Sequence, residues 1–268
     1  MRQPLVVCPV GLDLAWNDPA ANLAAMERAV DERLRGSKAG PEEHLFLFPE
    51  LTLTGFVTKD PPAFGFDAPE IRRVSSLASS RRVAVAFGFP EVNPKGKPFN
   101  ALALFGPDGK LVGRYRKMHL FTWGKNAESA GYSAGHGAVV FPYRGWKLGL
   151  AVCFDIRFPP LFHRYAKEGV DLLLVSSCWI GGPHKSYQYR TITSAHAILT
   201  QSFLAAVNRA GKDPFFEYDG AEYVFSPYGE QVAGGPDPGP GGRLDPAELE
   251  GARKLVVRPS DRESYPLA

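Results

Sequence analysis

The sequence predicts an α/β protein in which two β-sheets pack face to face with helices on the outside. Three observations carry this. Continuous apolar runs such as HLFLF (44–48) and VAVAFGF (83–89) are the pattern of strands buried on both faces. Stretches with helical periodicity alternate with such runs in both halves of the chain. Between the two strand–helix sets, the pattern changes to short extended runs around turn residues, which reads as hairpins.

The elements follow in order. LVVCPV (5–10) opens as a strand. DPAANLAAMERAVDERL (18–34) then places Leu23, Met26, Val30 and Leu34 on one helical face, with Asp18 as N-cap and Pro19 at the first helical position. A second helix at 69–80 separates the runs 44–50 and 83–91. NALALFGPDGKLVGRYRK (100–117) folds back at Pro-Asp-Gly, and AVVFPYRGWKLGLAVCFD (138–155) at Tyr-Arg-Gly. A helix at 159–168 precedes the strand DLLLVSS, a helix at 186–200 precedes FLAAVN, and YVFSPYGEQV turns at Pro-Tyr-Gly. Residues 233–243 hold five glycines and three prolines, so a loop is expected there. A last helix starts at Pro246 behind Asp245. No internal repeat and no linker interrupts the chain, and 1–268 reads as a single domain.

Composition narrows the function classes. The 31 Lys and Arg nearly balance the 28 Asp and Glu, leaving a formal charge of +3 without a basic block. That excludes a nucleic-acid or anionic-membrane partner as the expectation. The three cysteines, Cys8, Cys153 and Cys178, have no CxxC spacing, which argues against a disulfide framework and a structural zinc site. MRQPLVVCPVG carries too short an apolar run for a signal peptide, and no segment reaches membrane-spanning length. The expected location is the cytoplasm.

Three reactive residues stand where apolar strands run out: Glu50 after HLFLFP, Lys117 after GRYR and Cys153 after LGLAV. A lone cysteine behind an apolar run is ordinarily packing. Together, however, the three make a chemical set. A thiol needs a base, a carboxylate at an apolar rim can take a proton, and an ammonium stabilises a thiolate or an oxyanion.

FPELTLTGF, YRKMHLF and AVCFDIRFP resemble, in order and spacing, the three catalytic signatures of the nitrilase (carbon–nitrogen hydrolase) superfamily. The resemblance covers nearly the whole chain and implies a four-layer α-β-β-α sandwich of two mixed sheets, assembled as a homodimer or larger homo-oligomer. It implies Glu50 as general base, Lys117 as oxyanion stabiliser and Cys153 as nucleophile, with the backbone N–H of Phe154 in the oxyanion hole. NAESAGYSAG resembles the segment that carries a second glutamate, which falls on Glu128 and would orient Lys117 or the substrate amide. The implied chemistry is two-step acyl transfer on a small amide, with no metal and no cofactor. LDPAELEGARKLVVRPSDRESY (244–265) resembles a closing segment that in relatives reaches a partner subunit.

Within the superfamily, YRGWKLGLAVCFDIRFP, SSCWIGG and VNRAG are most similar to the omega-amidases, in particular the bacterial type, which implies 2-oxo acid monoamides as substrates. N-carbamoyl compounds and deaminated glutathione are the alternative substrates, and a catalytically idle binding member is the alternative of a different class. Trp179 would wall the pocket, and Arg157, Arg114 or Arg116 would bind a substrate carboxylate. AHAILTQ (195–201) departs from the family's R-A-x-E-N-Q helix segment, with His196 for the arginine and Leu199 for the glutamate. His119 reads as a structural hydrogen-bonding histidine. His163 invites a Cys-His protease reading that no asparagine signature supports. Cys8 and Cys178 read as buried and inert, with Cys178 bordering the site.

Overall fold

A computed structural model describes residues 1–122, 127–234 and 241–255. Strands β1 (Val6–Pro9), β2 (His44–Leu47), β3 (Ala84–Glu91), β4 (Phe99–Phe105) and β5 (Leu111–Arg116) form the first sheet, joined by the two-residue β14 (Gly242–Arg243). The order is β14-β1-β2-β3-β4-β5. The second sheet takes β6 (Val140–Tyr143), β7 (Trp146–Val152), β8 (Leu172–Ser177), β9 (Phe203–Asn208), β12 (Glu222–Phe225) and β13 (Gln231–Gly234), in the order β13-β12-β9-β8-β7-β6. β10 (Ala210–Lys212) and β11 (Glu217–Asp219) pair as a separate hairpin.

The two sheets repeat one plan. Each has a parallel trio (β1-β2-β3 and β7-β8-β9), one antiparallel strand on one side (β14, β6) and two on the other (β4-β5, β12-β13). The sequence has no matching repeat, because the plan needs only apolar runs in the right order and not particular side chains.

Alternation along the first sheet separates its two faces. Leu45 and Leu47, Ala84 and Ala86, and Leu102 and Leu104 turn to the second sheet, sharing a core with Leu148, Leu150 and Trp146. Phe46 and Phe48, Val85 and Phe87, and Ala103 and Phe105 turn the other way, onto Leu23, Met26, Ile71 and Val74 of helices α1 (Pro19–Arg35) and α2 (Pro69–Arg81). Helices α3 (Pro159–Glu168) and α4 (Lys185–Thr200) pack on each other beside the second sheet. The result is the expected four-layer sandwich. Both faces of β1 to β4 are dry, which is why those strands are almost wholly apolar, whereas the edge strand β5 is half-exposed and carries Arg114 and Arg116.

Local signals set the helix starts. Asp18 accepts a hydrogen bond from Ala21 N at 3.0 Å with Pro19 behind it, and Asp245 accepts from Ala247 N at 2.9 Å at the head of α5 (Pro246–Leu255). Three expectations need correction. The run 44–50 is strand only to Leu47; Phe48-Pro49-Glu50 leaves the sheet, since proline cannot continue the ladder. The hairpin 210–219 went unread because its strands are short and half exposed. The loop 233–243 is strand at both ends, Gly234 closing β13 and Gly242 opening β14, while 235–240 lie outside the described residues. Of the expected closing segment, 244–265, residues 244–255 are described and hold α5, while 256–265 also lie outside them.

Candidate active site

Glu50 stands three residues beyond β2, the middle strand of the first parallel trio, and Cys178 directly follows β8, the middle strand of the second. The repeated plan therefore brings these two positions together. Cys178 N donates to Glu50 Oε2 at 2.7 Å, and Cys178 Sγ donates to the Glu50 carbonyl oxygen at 3.2 Å. The turn that presents Glu50 is tight. Leu51 takes φ +49°, and Thr52 Oγ1 caps the Pro49 carbonyl. β3 passes so close that a Cβ on Gly88 would lie 2.3 Å from Leu51 N, so only glycine fits there.

Lys117 directly follows β5 and is fully buried. Its Nζ donates to Glu50 Oε1 at 2.7 Å and to Glu128 Oε2 at 2.5 Å. Burial alone would pull the ammonium down, but the charges of Glu128 and Glu50 outweigh it and hold Lys117 well above the ordinary lysine value. Glu128 sits in a 3-10 turn (Glu128–Ala130), also accepts from Phe121 N at 2.7 Å, and is raised above the usual carboxylate range by burial first.

A residue that the sequence reading missed completes this cluster. Asn100 on β4 donates through Nδ2 to Glu50 Oε1 at 2.7 Å and to Glu128 Oε1 at 2.8 Å. One amide and one ammonium thus bridge two buried carboxylates, which would otherwise repel each other. The available signal was a lone polar residue inside the apolar strand FNALALF.

Cys153 directly follows β7 and opens a 3-10 turn (Cys153–Arg157) with φ +46°, a left-handed conformation that costs a non-glycine residue about 1–3 kcal/mol. Burial and then the charge of Glu50 push its thiol well above the ordinary value, so its resting form is S–H. Asp155 secures the turn. Its Oδ2 accepts from Val152 N and Tyr115 OH, both at 2.9 Å, and its Oδ1 accepts from His119 N at 3.0 Å and pairs with His119 Nδ1 at 2.7 Å. The turn bearing Cys153 is thereby tied to the end of β5 that bears Lys117. His119 serves that tie and stacks on Phe158 at 3.7 Å.

A cavity of about 440 Å³ opens over the cluster and is lined by both Lys117 and Cys153. Phe154, Trp179 and Arg157 line it as the sequence reading expected, and Cys178 borders it too. Trp179 is held by its N–H to Asn208 Oδ1 at 2.6 Å and by Nε1 to the Lys185 carbonyl at 3.0 Å. Arg114 and Arg116 are not at this cavity; both pair with Glu91, at 2.5 and 2.8 Å. His163 lies on α3 and is not among the cavity residues either. His196 on α4 donates through Nε2–H to the Ile156 carbonyl at 2.8 Å and stacks on Phe162, supporting the Cys153 turn from behind. Among the described residues no group of three or more His, Cys, Asp or Glu side chains is placed to hold a metal ion, and no helix is long and apolar enough to cross a membrane.

Comparison with known proteins gives the family and the fold. The family model for carbon-nitrogen hydrolases matches residues 6–241. The chain is 31% identical over 269 aligned positions to the omega-amidase YafV of Yersinia enterocolitica, covering 99% of this chain and 93% of that one. It is 26% identical to the 2-oxoglutaramate amidase of Bacillus subtilis, covering 83% of each. Among solved structures, a carbon–nitrogen hydrolase superfamily protein of Xanthomonas campestris, with an arsenic adduct in its active site, superposes with a TM-score of 0.83 at 25% identity, over 99% of this chain and 100% of that one. The chain belongs to the carbon–nitrogen hydrolase family.

Proposed function

We propose that this enzyme hydrolyses a small linear amide through a thioester on Cys153, and that its substrates are ω-monoamides of 2-oxo dicarboxylic acids such as 2-oxoglutaramate. The observation that carries the chemistry is the dry Glu50–Lys117–Glu128 cluster beside a strained cysteine at the floor of an apolar cavity. The names of the relatives support the substrate class.

Each group has a task set by its surroundings. Cys153 rests as a thiol, so a base must take its proton as sulfur attacks, and Glu50 is the carboxylate for that. Attack forms the C–S bond and moves the carbonyl π pair onto oxygen. Lys117, held as an ammonium, and the backbone N–H of Phe154 receive that oxyanion. The intermediate collapses, Glu50 returns its proton to the departing nitrogen, and ammonia leaves. Water then attacks the thioester with Glu50 again as base, releasing the acid and restoring the thiol. Glu128 keeps Lys117 charged and aimed, and Asn100 keeps the two carboxylates together. The same reading takes 1–268 as one domain that self-associates, acts in the cytoplasm and needs no cofactor.

Ammonia release from 2-oxoglutaramate tests the substrate class, with Cys153→Ala as the control. Cysteine-dependent release at a kcat/KM at least about tenfold above that for an N-carbamoyl amino acid or for deaminated glutathione is expected. Faster turnover of either competitor would overturn the assignment to 2-oxo acid monoamides.

A further inference from the structure

The wall of the cavity away from Cys153 holds a charge arrangement that the catalytic cluster leaves unexplained. Arg157 Cζ lies 4.7 Å and Lys185 Nζ 5.4 Å from the centroid of the Trp179 ring. All three residues line the cavity, whose other walls are Phe56, Phe121, Phe154 and Ile180. Two cations therefore converge on one aromatic platform inside a largely apolar pocket. Among the described residues, the other cations near the site are paired: Lys117 with two glutamates, Arg209 with Asp213 and Asp13, and Arg116 with Glu91. Among the described residues, neither Arg157 nor Lys185 has a carboxylate within ion-pair distance, and the polar contact of Arg157 is with the neutral Gln188, at 2.8 Å.

The platform itself is fixed. Trp179 is 5% exposed, is hydrogen-bonded at both its backbone N–H and its indole N–H, and packs against Tyr189. The indole bond ends on the carbonyl of Lys185, so the backbone that carries the ammonium is pinned to the ring beneath it. A ring face attracts two like charges, but it does not cancel their mutual repulsion. A carboxylate that reaches both would, and with Lys185 half-buried and Arg157 exposed that attraction is partly screened by solvent.

We propose that Lys185, acting with Arg157 across Trp179, is a specificity residue that selects amides carrying a remote carboxylate. The proposal deepens the amidase reading and rests on it for the position of the reacting amide. With the amide carbon at Cys153, the far end of a short acyl chain meets the two cations, while neutral amides of the same length gain nothing there. Lys185 opens α4 in the stretch GGPHK, just ahead of the segment in which this chain departs from the family pattern.

The test compares a matched pair, succinamate and butyramide, in wild type, Lys185→Gln and Lys185→Arg protein. The selectivity ratio (kcat/KM for the anion over that for the neutral amide) is expected to fall at least about tenfold in Lys185→Gln, mainly through the KM of succinamate, and to recover in Lys185→Arg. An unchanged ratio, or equal losses on both amides, would overturn the proposal. Calorimetric titration of succinamate into Cys153→Ala and Cys153→Ala/Lys185→Gln protein reads the same subsite without turnover. Weaker binding in the second protein supports Lys185 even if ammonia release fails, and equal binding refutes it even if ammonia release succeeds.

Discussion

Cys153 and Cys178 follow neighbouring parallel strands of one sheet, line one cavity and both lie within the field of Glu50, yet their surroundings prepare them for different work. The thiol pKa does not separate them. Burial first, and the negative charge of Glu50 second, push both well above the ordinary value. The backbone separates them. Cys153 is held at φ +46° at the head of a turn braced by Asp155, whereas Cys178 is not among the residues with positive φ and spends both its N–H and its S–H on Glu50. The strain at Cys153 points to a side chain placed for a purpose, with the cost met by the bonds to Asp155. Cys178 works as a clamp, fixing the rotamer of the proposed base. Two buried thiols lining one cavity thus show that geometry, not acidity, marks the proposed nucleophile.

The largest expected effect breaks this comparison on one side only. Cys153→Ala should lower kcat by at least about four orders of magnitude while Tm moves by less than about 2 °C, measured by ammonia release and by thermal denaturation. Glu50→Gln should cost about three orders of magnitude, because an amide oxygen can still accept from Cys178 N but cannot take the thiol proton. Glu50→Gln protein with near-normal acylation would assign the base elsewhere.

Asn100→Ala should reduce kcat by about ten- to a hundredfold, since both glutamates lose a donor while Lys117 still bridges them. Cys178→Ala should cost less than about tenfold, because the backbone N–H that holds Glu50 remains. A loss as large as that of Cys153→Ala would reverse the roles assigned to the two thiols.

The smallest effect is on stability at alkaline pH. The thiols of Cys8, Cys153 and Cys178 are all raised in the folded protein, Cys8 to about 12 by burial. A raised folded pKa gives a contribution that is complete below the unfolded thiol value and is lost as pH climbs past it. Above about pH 9, denaturant-measured stability should therefore fall by about 1.4 kcal/mol per pH unit for each thiol, and Cys178→Ala should remove one such share of the slope.

Much of this was legible in the sequence wherever the cause is local. Continuous apolar runs located the core strands, and Asp-Pro pairs fixed the starts of α1 and α5 because an N-cap and a proline act within one turn. The residues Glu50, Lys117, Glu128 and Cys153 were legible through short ordered motifs, and the structure brings them together. What escaped depends on contacts between distant positions. Asn100 reaches residues 50 positions before and 28 after it, and Cys178 reaches Glu50 across 128 positions. Arg114 and Arg116 were open to a substrate carboxylate or to a structural pair, and nothing in their neighbourhood of the chain shows that the partner is Glu91, on the strand two places away in the sheet. The doubled sheet plan showed only as two sets of strand–helix alternation and not as a residue repeat, since two runs of different apolar residues can fold alike.

The central claim is that the acyl group passes through sulfur of Cys153 and not of Cys178. Its most direct test is mass spectrometry of enzyme quenched in acid during turnover of 2-oxoglutaramate, followed by peptide mapping. The account predicts a mass increase of one acyl group on the peptide containing Cys153, absent from Cys153→Ala protein and still present in Cys178→Ala protein. An acyl group mapped to Cys178, or one that persists in Cys153→Ala protein, would contradict it.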